Sequence, residues 1–441
     1  MNDKILHIVH TIDTEGPLDE DLVATFERIK DLFGIELQPS RDTLADLQAK
    51  RLDLGGVEHN VAKVVAPELL AYNRNWASIQ TMLDEALSPS FRRQVVDDFD
   101  NGWTYSWHCV DHLGFRDNPR HKDKGYGNVF RFYRNALRES GSARDELNWH
   151  FHPLSITREP LAAATSFVNS LDVLLDVWCR RLIEDNWFPT TNRPGFHSER
   201  SDANLFLEQW LPFDYANQFI SEADTGQRDA SMGRFGDWRR ASASWRGYHP
   251  SHDDYQQPGN CRRWIFRCLN IGTRFRLMQQ NHLIEAFEEA RQYGSAIISF
   301  ADHDYRDLRP DVQQFRQLLA AVRPDYEDVK IRFSGAHEAA RAHAMKTEPD
   351  LVAEAPKLEL ALEEGRLNVN LLEGQVFGPQ PFLALRDKAG RYFHDNFDVV
   401  EPGRVWTYVL DAQTLPIEKL DAIAVGCAGR VGETFTQTLR V

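Results

Sequence analysis

Short apolar runs alternate with amphipathic stretches over about the first 340 residues of the chain. Four runs have the length and alternation of buried strands: ILHIV at 5–9, WTYSWHCVDHLGF at 103–115, ELNWHFHPL at 146–154 and SAIISFADHD at 295–304. Around them, apolar residues recur with helical spacing at 22–35, 78–87, 128–142, 160–186, 281–295, 312–322 and 335–345. This alternation predicts an α/β domain, either a barrel or a doubly wound sheet.

The pattern changes near residue 350. From there on, short alternating runs such as RLNVNLLEG, PFLALRD, GRVWTYVLD and AIAVGCAG are separated by Gly, Pro and Asp turns. Such spacing is typical of a small antiparallel β-sandwich. We therefore predict an α/β domain at 1–348 and a β-sandwich at 355–441. Two less regular segments, at about 38–100 and 225–265, are predicted to be insertions in the first domain.

Composition narrows the classes of partner. The 441 residues include 66 acidic and 51 basic side chains, a formal net charge of −15. That balance argues against a general nucleic-acid binder, which needs a basic face. No apolar run approaches the length of a membrane span, and no apolar leader follows the first residues. The five cysteines are widely spaced, with no Cys-x-x-Cys pair. We expect a cytoplasmic protein with reduced thiols.

Two polar motifs at predicted strand ends carry donor atoms for a metal ion. In HTIDTEGP, Asp13 and Glu15 share a face at the end of the first strand. In ELNWHFHPL, His150 and His152 alternate with apolar residues, so both imidazoles face inward. Two histidines and one carboxylate match a catalytic divalent-metal site with open positions. The second carboxylate is then available as a base.

Two further side chains are predicted to complete this site. His303 shares a face with Ser299 and Ala301 in SFADHD, and it would protonate the leaving group or assist the oxyanion. Arg193 in RPGFHSER is always charged and would keep the base carboxylate ionised. Active residues of barrels and doubly wound sheets collect at the C-terminal ends of the strands. The sequence therefore predicts a hydrolytic site at that end of the first domain.

Four motifs, taken in order, resemble those of the polysaccharide deacetylase superfamily (NodB-homology, carbohydrate esterase family 4-like) over about residues 1–345. They are TIDTEGP, HFHP, NRPGFHSERSDANLFLEQW followed by PFDYANQ, and ISFADHDYRDLRPDV. The resemblance implies a distorted (β/α) barrel and metal-dependent hydrolysis of an N- or O-acyl group on a sugar. It implies three catalytic residues: Asp13 as base, Arg193 as its orienting partner and His303 as acid. It also implies three ligands of a divalent metal, for which Zn²⁺ is the first choice: Glu15, His150 and His152.

Two features depart from the pattern of that family. Its adjacent Asp-Asp pair is Asp-Thr-Glu here, which leaves open an exchange of roles between Asp13 and Glu15. The two histidines are spaced two apart instead of four, which leaves His108 and His112 as alternative ligands. The sequence alone does not choose between these assignments.

The expected substrate is a nucleotide- or lipid-linked sugar or glycan of cytoplasmic surface-polysaccharide (O-antigen- or capsule-like) biosynthesis, since cell-wall polymers lie outside the cell. The irregular segment 225–263 offers arginines for a diphosphate and tryptophans for a sugar ring. The predicted substrate-binding residues there are Trp238, Arg239, Arg240, Trp245 and His249, with Arg262 and Arg263 as further arginines. The stretch YHPSHDDY in the same segment is a rival metal cluster.

Two other functions stay open at this point. A non-catalytic carbohydrate-binding or assembly protein would retain the barrel and use the sandwich as a binding module. A glycoside hydrolase would use Asp13 with a second acid and would need no metal. An oligomeric state is compatible with the sequence, which does not specify one.

Overall fold

Seven parallel strands of the first domain form a closed barrel in the computed structural model, which describes residues 4–118, 120–121, 123, 125–160, 166–221 and 236–441. The strands are β1 (Ile5–Thr14), β2 (Tyr105–Cys109), β3 (Glu146–Phe151), β4 (Thr191–Pro194), β5 (Phe213–Asn217), β6 (Trp264–Asn270) and β7 (Ser295–His303). Their order in the sheet follows the chain, and β1 closes the barrel by pairing with both β7 and β2. The prediction of an α/β domain is confirmed, and the barrel replaces the doubly wound alternative.

An eighth strand, β8 (Lys330–Ser334), also pairs with β1, on the same edge of β1 as β2. Residues 5–9 of β1 pair with β8, whereas residues 10–14 pair with β2. The C-terminal half of β1 therefore lies between β2 and β7. In this register Asp13 is opposite His108 on one side and opposite His303 on the other.

Eleven α-helices lie among the described residues. They are α1 (Leu22–Phe33), α2 (Arg41–Gln48), α3 (Glu58–Val64), α4 (Trp76–Ala86), α5 (Pro89–Arg92), α6 (Asn128–Ser140), α7 (Leu171–Asp185), α8 (Ser201–Trp210), α9 (Gln280–Tyr293), α10 (Arg309–Val322) and α11 (Ala336–Thr347). Gly141 and Gly294 end α6 and α9 in left-handed conformations, with φ of 66° and 80°. The helix predicted over 160–186 begins only at Leu171, and residues 161–165 lie outside the described residues.

Alternation along β3 separates its two faces as the sequence pattern predicted. Trp149 and Phe151 lie on the outer face, where Trp149 packs edge-on against Trp178 of α7 with ring centroids 5.0 Å apart. His150, between them in sequence, is 1 % exposed and points to the barrel interior side with Arg193. Burial of the large apolar rings outside the barrel therefore fixes the direction of the imidazole inside it.

The C-terminal strands form two four-stranded antiparallel sheets that face each other. One contains β9 (Lys357–Glu363), β10 (Arg366–Glu373), β13 (Asp398–Glu401) and β14 (Val405–Val409), and the other contains β11 (Phe382–Asp387), β12 (Tyr392–Asp395), β15 (Leu420–Ala428) and β16 (Thr434–Arg440). Apolar side chains of both sheets share one buried core, which includes Trp406 and Ile423. Phe382 of the second sheet packs against Trp178 and Trp210 of the barrel's helices.

In the described part of the chain, no helix combines the length and the apolar character needed to cross a membrane. All five cysteines are buried, and none is in a disulfide.

Candidate metal centre

Six polar side chains meet at the C-terminal mouth of the barrel. Their positions are Asp13 and Glu15 at the end of β1, His150 and His152 at the end of β3, Arg193 in β4 and His303 at the end of β7. His152 and His303 are partly exposed, and the other four are buried. The structure thus brings together the six residues that the sequence and the resemblance to deacetylases predicted for the site.

Three donor atoms in this group face one another. The Nε2 atom of His150 lies 3.0 Å from Nε2 of His152. The Oε1 atom of Glu15 lies 3.3 Å from Nε2 of His152 and 4.0 Å from Nε2 of His150. Ligand atoms that are each about 2.0–2.1 Å from a tetrahedral ion lie about 3.3 Å apart. The spacing of the three donors therefore suits one divalent ion.

The tautomer of His150 is fixed in the form that binds metal. Its Nδ1 lies 2.5 Å from the backbone oxygen of Arg193, so Nδ1–H donates there and the lone pair is on Nε2. Burial, followed by the charge of His152, lowers the pKa of His150 well below its usual range. A neutral imidazole with its lone pair directed at a second imidazole nitrogen is repelled unless a proton or a cation lies between them. The donor set therefore fits a bound metal ion.

Glu15 is held on its other side by two more histidines. Nε2 of His121 lies 3.2 Å from Oε2 of Glu15, and Nε2–H of His112 donates to the backbone oxygen of Glu15 at 2.7 Å. The two imidazoles stack with centroids 3.8 Å apart. Burial alone would raise the pKa of Glu15, but His152 and His121 keep it well below its ordinary value. Glu15 is therefore ionised, with one oxygen directed at each pair of histidines.

These contacts bear on the two histidines that the sequence left as alternative metal ligands, His112 and His108. Glu15, His112 and His121 form a second group with donor atoms within 4.8 Å of one another, so His112 lies beside the centre without replacing His150. His108 is fully buried, its Nδ1 is 3.3 Å from the backbone oxygen of Trp149, and it belongs to no such group of described residues. The sequence did not indicate His121, because the irregular stretch NPRHKDKG around it has no periodicity.

The turn after β1 is fixed by a buried carboxylate. Asp304 accepts hydrogen bonds from the backbone N–H of Glu15 at 2.8 Å and of Gly16 at 2.9 Å, and from the hydroxyl of Tyr133 at 2.9 Å. Gly16 has φ of +73°, and a Cβ there would lie 2.9 Å from the ring of Trp76. The Glu-Gly sequence is therefore required locally to place the Glu15 carboxylate over the barrel mouth.

Asp13 lies beside the donor set without belonging to it. Its Oδ1 is 3.4 Å from Nε of Arg193 and 3.7 Å from Nδ1 of His150, and it has no hydrogen-bond partner among the described residues. Burial raises the pKa of Asp13 to about 7, against the opposing charge of Arg193. A carboxylate with a vacant acceptor oxygen and a pKa in this range is suited to exchange a proton near neutral pH.

His303 lies on the far side of Asp13 from Arg193. Its Nε2 is 3.8 Å from Oδ2 of Asp13 and 4.0 Å from Oε1 of Glu15. Its Nδ1 is buried and has no hydrogen-bond partner in the described part of the chain. Burial, followed by the charge of Arg306, lowers the pKa of His303 to about 3. The imidazole is therefore neutral in the ligand-free protein.

The loop after β4 brings strained backbone to the same place. Phe196 and His197 have φ of 52° and 51°, in the left-handed region that side chains rarely adopt. Phe196 packs edge-on against His152 with centroids 5.1 Å apart, and Nδ1 of His197 is 2.5 Å from Nη1 of Arg193. Gly195 lies so close to His152 that a Cβ would be 2.4 Å from the ring. The loop is thus shaped around the imidazole.

The centre opens into a cavity of about 230 Å³. Asp13, Glu15, His121, His152 and His303 line it. Its walls combine aromatic rings with several arginines, among them Tyr72, Phe196, Phe275, Tyr305, Arg28, Arg120, Arg274, Arg276 and Arg306. The cavity therefore offers ring faces and positive charge next to a candidate metal centre.

The residues predicted to bind substrate in the 225–265 segment lie elsewhere. Trp238 and Trp245 are each 1 % exposed, Trp238 behind His197 and Trp245 in the main core. Arg239 pairs with Asp237, Arg240 pairs with Asp254, and His249 pairs with Glu348 at 2.7 Å. None of these five lines the cavity, and residues 222–235 lie outside the described residues. The two tryptophans are buried by tertiary packing, and Arg239 and Arg240 form ion pairs with acids of the same segment.

Two more arginines of that segment are structural. Arg262 pairs with Glu208 at 3.1 Å. The guanidinium of Arg263 is fully buried, where it pairs with Glu199, with Asp214 at 2.9 Å and with the side-chain oxygen of Asn204. The guanidinium of Arg263 therefore holds an acidic cluster together, and Arg263 does not line the cavity.

Replacing Arg263 with alanine is expected to lower the free energy of unfolding by about 3–5 kcal/mol, because the Glu199–Asp214 pair would be left buried without its counter-charge. Urea denaturation followed by circular dichroism measures this loss. Arg239→Ala, which removes an exposed pair, is the matched control and should change stability little. A loss in the Arg263 variant no larger than in the control would contradict the structural role.

A third candidate group lies apart from the barrel mouth. Glu208, His252 and Cys261 place donor atoms within 4.8 Å of one another, and His252 belongs to the predicted rival cluster YHPSHDDY. The Glu208 oxygens already accept from the backbone N–H groups of Arg262 and Arg263 at 2.7–3.1 Å. With its carboxylate so engaged and His252 exposed, this group is a weaker metal site than the one at the barrel mouth.

Comparison of the chain with protein-family models, with curated proteins and with solved structures gives no match. The chemistry of the barrel mouth is therefore argued from its own residues and distances.

Proposed function

We propose that this protein is a metal-dependent hydrolase that removes an N- or O-acyl group from a sugar, on a (β/α) barrel of the NodB-homology type. One observation carries the proposal. A His-His-Glu donor set, a carboxylate paired with a buried arginine, and a further histidine converge on one cavity at the strand ends. These are the groups that metal-assisted hydrolysis requires.

Glu15, His150 and His152 are the proposed metal ligands, with zinc as first choice. Glu15 is preferred to Asp13 because its Oε1 is 3.3 Å from Nε2 of His152, whereas the Asp13 carboxylate is directed to Arg193 at 3.4 Å. When bound, such an ion polarises the acyl carbonyl and lowers the pKa of water. His121 is a positioning residue, since it holds the second oxygen of Glu15.

The protein's own groups would manage the protons of the reaction. Asp13 takes a proton from the attacking water, and Arg193 holds that carboxylate in place. The water oxygen bonds to the acyl carbon, and the bond from that carbon to the sugar nitrogen or oxygen breaks. The leaving atom takes its proton from His303, which faces Asp13 at 3.8 Å. Since His303 is neutral in the ligand-free protein, this role requires it to be protonated in the substrate complex.

The shape of the cavity supports a sugar as the substrate. Aromatic side chains, Tyr72, Phe196, Phe275 and Tyr305, line its walls, and such rings pack against the C–H faces of sugars. We place the reaction on a nucleotide- or lipid-linked sugar or glycan in the biosynthesis of a surface polysaccharide.

A chromogenic N-acetylated sugar tests the proposal directly. With 4-nitrophenyl N-acetyl-β-glucosaminide and a divalent metal, we expect release of acetate without release of 4-nitrophenol, because the acyl bond and not the glycosidic bond is attacked. Chelation should abolish the acetate, and added zinc should restore it. Nitrophenol release without metal would instead favour a glycoside hydrolase. A metal-loaded protein that binds the sugar and releases neither product would favour a binding protein.

A further inference from the structure

The cavity above the candidate metal centre carries an excess of positive charge. Five arginines line it, and apart from the carboxylates of the centre itself only Glu20 and Asp31 line it as acids. Glu20 is already saturated, since Arg28 pairs with both of its oxygens and Arg120 lies 3.2 Å from Oε2. Arg28 and Arg120 therefore take up the Glu20 carboxylate, and neither Arg274 nor Arg306 donates a hydrogen bond to it.

The hydrogen-bond partners of Arg274 among the described residues are all neutral, although the charge of Glu20 also acts on it. Its Nε donates to the backbone oxygen of Val64 at 3.0 Å, and Nη2 lies 3.4 Å from both the oxygen of Leu69 and the hydroxyl of Tyr72. Burial, followed by the charges of Arg28 and Arg306, lowers the pKa of Arg274 to about 10. The guanidinium is thus anchored by carbonyls while it faces other cations.

Arg306 is a cavity-wall residue with a buried, unpartnered guanidinium nitrogen among the described residues. It is 5 % exposed and stacks over the ring of Tyr305 at 4.9 Å, and its Nη1 is buried without a hydrogen-bond partner in the described part of the chain. Asp311 acts on it electrostatically, but none of the described ion pairs within 4.0 Å involves Arg306. Buried guanidinium groups are normally paired, and the described residues give Arg306 no such partner.

We infer that Arg274 and Arg306 form an oxyanion subsite, so that the sugar bound here carries a phosphate or a carboxylate. Arg306 follows His303 by three residues and lines the cavity together with it, so the anion would lie beside the reacting acyl group. A guanidinium presents paired donors that match both phosphate and carboxylate oxygens. The identity of the substrate as an acylated sugar rests on the proposed function, whereas binding of the anion does not.

Calorimetric titration of metal-free protein with inorganic phosphate, pyrophosphate and D-glucuronate tests this subsite. Wild type should bind at least one of these anions, and Arg274→Gln and Arg306→Gln should each weaken binding by about tenfold or more. Arg93→Gln, which removes an exposed arginine outside the cavity, should bind as wild type does. Tighter binding of the phosphates would identify a phosphorylated sugar, and tighter binding of glucuronate would identify a uronic acid.

Two controls separate this inference from the proposed function. His150→Ala/His152→Ala protein should keep the anion affinity of metal-free wild type, because the subsite does not use the metal ligands. Arg306→Lys, which keeps the charge, and circular dichroism of each variant exclude unfolding as the cause of weaker binding. Unchanged affinity in both glutamine variants, or no binding of any of the three anions to wild type, would overturn the subsite and leave the metal centre untouched.

Discussion

Protein purified without chelator and without a metal-affinity column is expected to contain about one divalent ion per chain, and His150→Ala/His152→Ala protein is expected to contain none. The double variant removes two of the three donors that lie 3.0–4.0 Å apart at the barrel mouth. Loss of groups that merely support a ligand already costs about 10–100-fold in metal affinity. Removal of two ligands should therefore weaken binding by well over 100-fold.

Elemental analysis by mass spectrometry, combined with titration of metal-free protein with zinc, measures both quantities. The matched control is His59→Ala/His252→Ala, which removes two exposed histidines, one of them from the third candidate group. This control should retain its ion. Loss of the ion in the control but not in the His150/His152 variant would move the metal to the Glu208–His252–Cys261 group. No ion in wild type, even after soaking with excess divalent metal, would favour the non-catalytic binding protein.

The number of ions per chain also tests the role of the second pair of histidines, His112 and His121. His121 donates to the oxygen of Glu15 that faces away from His152. A single ion per chain agrees with a positioning role for His121. Two ions per chain would instead assign the Glu15–His112–His121 group as a second site.

The alternation of apolar and polar residues was sufficient to predict which side chains lie at the ends of β1 and β3. Alternation in ELNWHFHPL follows from the burial of Trp149 and Phe151 on the outer face of β3, and that burial leaves only one direction for His150. The end of β1 is likewise marked by DTEGP, because Gly16 adopts a positive φ there. Such features depend on neighbours in sequence, so a sequence reading can reach them.

The rest of the site depends on contacts between residues that are far apart in the sequence. Arg263 looks like a loop arginine until Glu199 and Asp214 are placed beside it by two other elements. Arg274 and Arg306 lie 32 residues apart in the sequence and share one wall because they follow β6 and β7, which pair side by side. Pairing between residues far apart in the chain has no local signature. The sequence therefore pointed to arginines of the 225–265 segment for substrate binding, and the structure places these away from the cavity.

Asp13→Asn is expected to reduce acyl hydrolysis by about 10²–10⁴-fold, which is the usual contribution of a general base, while leaving the metal content near that of wild type. The amide has the shape of the carboxylate but cannot accept a proton from water. The amide breaks no hydrogen bond to Oδ1 among the described residues, but it removes the counter-charge of buried Arg193, so circular dichroism of the variant is the control for folding. Acetate release and metal content, measured on the same preparation, check both parts.

Glu15→Gln, unlike Asp13→Asn, is expected to lose the metal ion. Comparing the two variants therefore decides which of Asp13 and Glu15 is the ligand and which is the base. Glu15 is the carboxylate within 3.3 Å of His152 and within 3.2 Å of His121, so its neutral variant should lose the ion and, with it, activity. Asp398→Asn, an exposed acid on β13, is the control that should change neither quantity. If Asp13→Asn loses the ion while Glu15→Gln keeps it, Asp13 is the ligand and Glu15 the base. Hydrolysis within about tenfold of wild type in Asp13→Asn would exclude Asp13 as the base, since a general base contributes more than that.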